Sequence, residues 1–146
     1  MKMYESDSDR RNQRAAMEKV EKLFNWTLDE LPERYVADWA AFKKWNSINL
    51  LDGIVEYKRR NNHHDAYDSV LLDAKKYVSC KQLSDAFAVP FYYIQEWDDK
   101  IGICQPNIKD AIRSKVAVKR SLRRDDTDDT YLFIHLPLER FDLYKR

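Results

Sequence analysis

Residues 53–60 read GIVEYKRR, and the alternation inside this stretch constrains the fold more than any other feature of the chain. A strand has a side-chain period of two, so Val55 and Tyr57 share one face while Glu56 and Lys58 share the other. If the second face is covered, an acid and a base sit in or beside the core. That is costly unless the two charges are paired, hydrated or holding a metal ion. The doubled charge of Arg59 and Arg60 follows directly.

The chain has 146 residues, the size of one domain spanning 1–146, and 44% of them are hydrophobic. That is enough to bury a core. With only two Gly and four Pro, the body of the chain does not read as low-complexity. Lys plus Arg number 26 against 25 Asp plus Glu, so any nucleic-acid contact must come from a local basic patch. Cys80 and Cys104 lack CxxC spacing and fit structural thiols in a reducing compartment. No apolar run approaches the ~20 residues of a membrane span, and the N-terminus has no signal-peptide pattern. The expectation is a soluble protein of the cytoplasm, with no membrane partner.

Apolar residues at Ala16, Met17, Val20, Leu23 and Phe24 predict a helix from about Asp9 to Phe24. TLDELPERY reads as a connector with one further turn capped at Thr27. YVADWAAF is a strand, and SINLLDGIVEYKRR one or two short strands with Asp52-Gly53 as a bend or bulge. RRNNHHDAYD is a loop. SVLLDAKKYVSCKQLSDAFAV, with apolar residues from Val70 to Phe87, predicts a second long helix. VPFYYIQEW and IGICQ read as a hairpin. A basic cluster at Lys115, Lys119, Arg120, Arg123 and Arg124 is followed by four acids, and YLFIHLPLERFDLY closes the chain as a last strand and its tail. Short strands beside a crossover helix imply an α/β fold with a mixed central β-sheet flanked by helices.

Asp38 lies among apolar neighbours in YVADWAAF. If this strand pairs with the one bearing Glu56, two carboxylates converge, and they repel unless a cation lies between them. Mg²⁺ (or Mn²⁺) suits such hard oxygen ligands. A nearby Lys58 can orient a water or stabilise charge on a phosphate.

The pieces Y35-V-A-D38, E56-Y-K58-R59-R60 and LLDAKKY, in this order and on these elements, resemble the PD-(D/E)XK nuclease superfamily. Within it they are most similar to small phage-type nucleases of unassigned role. The likeness runs from about residue 14 to 104, and Ala37 stands where the motif name has Pro. The resemblance implies a restriction-endonuclease-like core and metal-dependent hydrolysis of phosphodiester bonds, with DNA as partner, in a bacterial or phage-infected cell. It leaves a homodimer open. It also implies Asp38, Glu56 and the Tyr57 carbonyl as metal ligands, Lys58 as the water-positioning base, and Lys76 as an assisting helix lysine with Lys75 as fallback. Relatives add a Glu from the first helix. Spacing to the helix end favours Glu18, the apolar face favours Glu21, and both stay open.

Each of these readings has a plainer competitor. By spacing alone, Glu56 and Lys58 could equally form a cross-strand salt bridge. Asp38 alone could be a carboxylate accepting backbone hydrogen bonds, and Glu18, Glu21 and Lys76 could be solvated helix residues. Asp52-Gly53 is explained by turn chemistry. His63-His64-Asp65 lacks the spaced third ligand of a zinc site and reads as a loop at the edge of the site. Arg59, Arg60, Lys119, Arg120, Arg123 and Arg124 are candidate phosphate contacts, against a solvated surface partly neutralised by the acids after them. The competing function is a nuclease-fold DNA-binding or protein-interaction module without catalysis.

Overall fold

The structure is a computed structural model that describes residues 6–106, 109, 116–120 and 130–146. Helix α1 spans Asp7–Phe24. Ser6 caps it in a reciprocal box with Asp9, whose N–H donates to Ser6 Oγ at 3.1 Å. Ala16, Met17 and Val20 form its buried stripe, and Asn25 closes the helix in the left-handed conformation at φ 54°.

The predicted connector after α1 is instead strand β1, Thr27–Glu30. Four residues without an apolar alternation carry too little pattern to read, and pairing with β2, Trp39–Trp45, is what makes them a strand. β2 begins one residue after Asp38, so the acid sits at the strand's entrance. The hairpin partner β3 is one continuous twelve-residue strand, Ile48–Arg59. Asp52-Gly53 is a bulge within it: Ala41 pairs with Gly53 and Phe42 with Leu51, leaving Asp52 as the extra residue. Gly53 is required there, because a Cβ would lie 2.6 Å from the Tyr92 ring. Asp52 Oδ2 accepts from Trp26 Nε1 at 2.7 Å, a structural role.

The second predicted helix divides. Ser69–Asp73 is strand β4, with Val70 and Leu72 inward, and only Ala74–Ala86 is helix α2. Asp73 is the cap, accepting from the Lys75 N–H at 2.8 Å. A short apolar run satisfies both periods, and tertiary pairing with β8 (Thr130–Pro137) decides for strand. Strands β5 (Phe91–Glu96) and β6 (Lys100–Cys104) form the predicted hairpin. β7 (Val116–Arg120) pairs with β8, and β9 (Asp142–Lys145) with β6.

The main sheet runs β1-β2-β3-β5-β6-β9 and a smaller one β4-β8-β7. The sheet is mixed: β3 and β5 are parallel, and every other pair is antiparallel. α1 covers one face of the main sheet, packing Ala16, Met17 and Val20 in one cluster with Val55, Tyr57 and Ile94. The opposite face packs Ile54, Phe91 and Tyr93 with Tyr77 and Cys80 of α2 and Val70 of β4. Among the described residues no helix is long and apolar enough to cross a membrane.

Candidate active site

The β2–β3 register places Trp39 opposite Val55, and one step further it sets Asp38 opposite Glu56. Three hydrogen bonds fix Asp38. Its N–H donates to Val55 O at 3.1 Å, its carbonyl accepts from the Leu31 N–H at 2.9 Å, and its Oδ2 accepts from the Tyr57 N–H at 3.0 Å. The carboxylate is therefore tied to the backbone of the residue between Glu56 and Lys58. Both acids are buried, Asp38 at 8% exposure and Glu56 at 9%.

Glu56 Oε1 lies 3.4 Å from Lys76 Nζ. Its Oε2 is buried and has no hydrogen-bond partner among the described residues. Burial first, and then the charge of Asp38, push the Glu56 carboxyl up to about 8, while Lys76 pulls the other way. For Lys76, burial favours the neutral amine, but Glu56 and Asp38 outweigh it and its pKa rises. Lys76 is also tethered: it donates to Val36 O at 3.1 Å, and the Cys80 Sγ–H reaches the same carbonyl at 3.4 Å. α2 thus delivers a cation to the acids from its first turns.

Lys58 is exposed and follows Glu56 on the same face by alternation. The parallel register sets Tyr93 beside Glu56 and Gln95 beside Lys58. Both are buried, and Tyr93 OH donates to Gln95 Oε1 at 3.1 Å. The sequence reading missed this pair. The available signal was a glutamine inside the apolar strand FYYIQEW.

Tyr57 turns its side chain to the α1 face, where its hydroxyl donates to Glu96 Oε1 at 2.6 Å. Arg59 follows it there. Its Nε lies 3.7 Å from Glu96 Oε1 and its Nη2 2.7 Å from Asp98 Oδ1, and Arg146 Nε adds a bond to Glu96 Oε2 at 3.1 Å. Arg59 is held in an ion-pair network. Arg60 is half-buried on the Lys58 side, near enough to act electrostatically on the Tyr93 hydroxyl. The two arginines thus serve opposite faces.

Glu21 Oε2 accepts from the Leu28 N–H at 3.0 Å, bracing the start of β1. Glu18 lines a groove with Arg10, Arg14, Glu30 and Trp39 on the α1 side. Among the described residues no group of three His, Cys, Asp or Glu side chains gathers at metal-ligating spacing. His64 Nδ1 lies 2.6 Å from Asp99 Oδ2 and His63 Nδ1 3.7 Å, so the doubled histidine latches its loop to the β5–β6 turn. Lys119 and Arg120 fall on β7, opposite Tyr131 and Thr130. Lys115, Arg123 and Arg124 lie outside the described residues.

A family model described as "Phage putative PDDEXK endonuclease" matches residues 1–143. Among solved structures the chain is similar to Hjc, a Holliday junction resolvase from Archaeoglobus fulgidus, an archaeal hyperthermophile. That likeness has 10% identity and a TM-score of 0.45, and it covers 84% of this chain and 95% of the resolvase. No curated protein matches the chain.

Proposed function

Because the chain belongs to this family of phage PD-(D/E)XK endonucleases, we propose that it hydrolyses phosphodiester bonds of DNA with a divalent metal ion, Mg²⁺ or Mn²⁺. The observation that carries the metal reading is the buried pair itself: no donor among the described residues bonds Glu56 Oε2, and the Asp38 carboxylate lies close enough to raise the Glu56 pKa. Two buried carboxylates side by side fit a hard cation that keeps several of its own waters.

Asp38 and Glu56 would hold the ion with the Tyr57 carbonyl. Among the described residues Glu18 has no backbone bond to give up, whereas Glu21 is engaged at Leu28. The ion would supply charge neutralisation at the scissile phosphate and a more acidic water. Asp38, pinned by the Tyr57 N–H, keeps its carboxylate oriented without reorganisation. Lys58, exposed on the same face, would align the attacking water, with Gln95 beside it. Lys76 keeps positive charge at Glu56 until substrate arrives and can then turn to a phosphate oxygen. Arg60 would contact the backbone of the duplex.

The test is incubation with linear, nicked, branched and single-stranded DNA, with and without Mg²⁺ or Mn²⁺, beside calorimetric metal titration. Metal-dependent cleavage lost in Glu56→Ala supports the reading. Wild-type DNA binding that ignores metal, with no cleavage of any substrate, would favour the non-catalytic DNA-binding module.

A further inference from the structure

Beyond the sheet, β2 and β3 continue as a two-stranded arm. β1 pairs with β2 only over Trp39–Phe42, and β5 pairs with β3 only from Ile54 onward. From Lys43 to Leu50 the two strands pair only with each other among the described residues, and all eight of these residues are exposed. The arm nevertheless carries large apolar side chains: Trp45 is 64% exposed, Ile48 55% and Leu50 47%. Trp45 pairs with Ile48 and Lys43 with Leu50, so these four share one face. Lys44 and Asn49 share the other.

The turn is two residues long, and both have positive φ, Asn46 at 48° and Ser47 at 67°. This is the hairpin turn that glycine adopts most easily at its second position. The chain keeps a serine there. Asn46, Ser47 and Asn49 thus gather hydrogen-bonding side chains at the tip, between the lysines and the apolar residues.

We propose that this arm is a DNA-binding element that enters the major groove of a duplex. A two-stranded ribbon fits that groove. No acid occurs from Trp39 to Leu51, and Lys43 and Lys44 leave the arm positive, with Asp52 near Lys43 at its root, 3.7 Å away. Charge therefore favours a phosphate polymer over a second copy of the chain, whose arm would bring like charges together. Asn side chains read base edges, and Trp45 and Ile48 offer apolar contact to bases. The inference rests on the nuclease reading in one respect: the arm grows from the same two strands that carry Asp38 and Glu56. Because Asp52 is bulged, seven ladder steps separate Ile48 from Glu56, about 24 Å of strand. At ~3.4 Å per base pair an arm lying along the duplex would grip DNA about seven base pairs from the carboxylates.

Fluorescence anisotropy with a labelled duplex of about 24 base pairs, long enough to span both regions, tests this in a Glu56→Gln background that keeps the DNA intact. Lys44→Ala/Trp45→Ala should weaken binding about ten-fold or more, and should lower the slope of log affinity against log salt by about 0.9. Lys44→Glu, which removes no packing, should weaken binding in the same direction, with melting curves checking the fold of each variant. Unchanged affinity and salt slope in both variants would overturn the arm. So would loss of self-association in the arm variants with DNA binding intact, since that makes a second copy the partner. The absence of any duplex binding by the parent also overturns it. Cleavage by the otherwise wild-type protein separates the two claims. Arm-independent cleavage leaves the nuclease reading standing alone, and arm-dependent binding without cleavage by any divalent ion leaves the arm standing alone.

Discussion

Asp38 Oδ2 accepts a hydrogen bond from the backbone N–H of Tyr57, the residue between Glu56 and Lys58, at 3.0 Å. One carboxylate is thus oriented by the backbone that presents the other. Asp38→Ala deletes both the acid and the acceptor for a buried N–H, whereas Asp38→Asn keeps an acceptor. Both variants should lose metal-dependent cleavage. Asp38→Ala should cost about 1–3 kcal/mol of stability and Asp38→Asn less. Denaturant unfolding beside a cleavage assay measures the difference.

The raised Glu56 pKa makes metal-free stability depend on pH. The folded state holds the proton more tightly than the unfolded chain, whose glutamate titrates near 4.5. The resulting stabilisation is complete below that value and disappears as pH rises through about 8. Melting temperature in chelator should therefore fall across this window. Glu56→Gln should flatten the fall, and Mg²⁺ should reverse it for the wild type alone, because the ion binds the folded site. A wild-type profile matching that of Glu56→Gln in chelator would contradict the assignment.

Lys76 shares Glu56 with any bound cation. Removing its charge in Lys76→Met should raise affinity for Mg²⁺ or Mn²⁺, since a repulsive neighbour is gone. The same change should slow cleavage at saturating metal, since the phosphate loses a counter-charge. Calorimetric titration and single-turnover cleavage should move in opposite directions.

On the first helix, Glu21→Gln weakens the hold on the Leu28 N–H and should cost about 1 kcal/mol or less. Its cleavage rate should match the wild type. Glu18→Gln should leave stability unchanged, and a drop in metal affinity there would make Glu18 the helix ligand.

Glu96 accepts from Tyr57 and Arg146 and pairs with Arg59. Glu96→Gln leaves two guanidinium groups without their shared anion. Discounting the buried-pair scale for their partial exposure, the loss should be about 2 kcal/mol. Metal affinity should hold, because this network lies on the face away from Asp38.

The strongest local patterns were legible in the sequence. α1 announced itself through a cap and a regular apolar stripe, and Glu56 and Lys58 through the period of two. Asp38 stands out by its chemistry, an acid among apolar neighbours, and the structure sets it buried beside Glu56. SVLL fits the period of a helix as well as that of a strand, and only the pairing of β4 with β8 selects the strand. β1 had no pattern to read. Alternation alone separates Arg59 from Arg60, one to each face. What the sequence could not supply was Glu96, a partner thirty-seven positions away, waiting on one face only.

The extra residue at Asp52 sets a phase. Below the bulge, Val55 and Tyr57 face α1 and Glu56 faces α2. Above it, Leu50 and Ile48 face the α1 side with Lys43 and Trp45, where uninterrupted alternation would have sent Leu51 and Asn49. A single inserted residue therefore acts as a parity switch along one strand. Deleting Asp52 would make the ladder regular, with Gly53 opposite Ala41 and Leu51 opposite Phe42, so the arm would keep both its sides and lose only the bend and the acceptor of the Trp26 Nε1 bond.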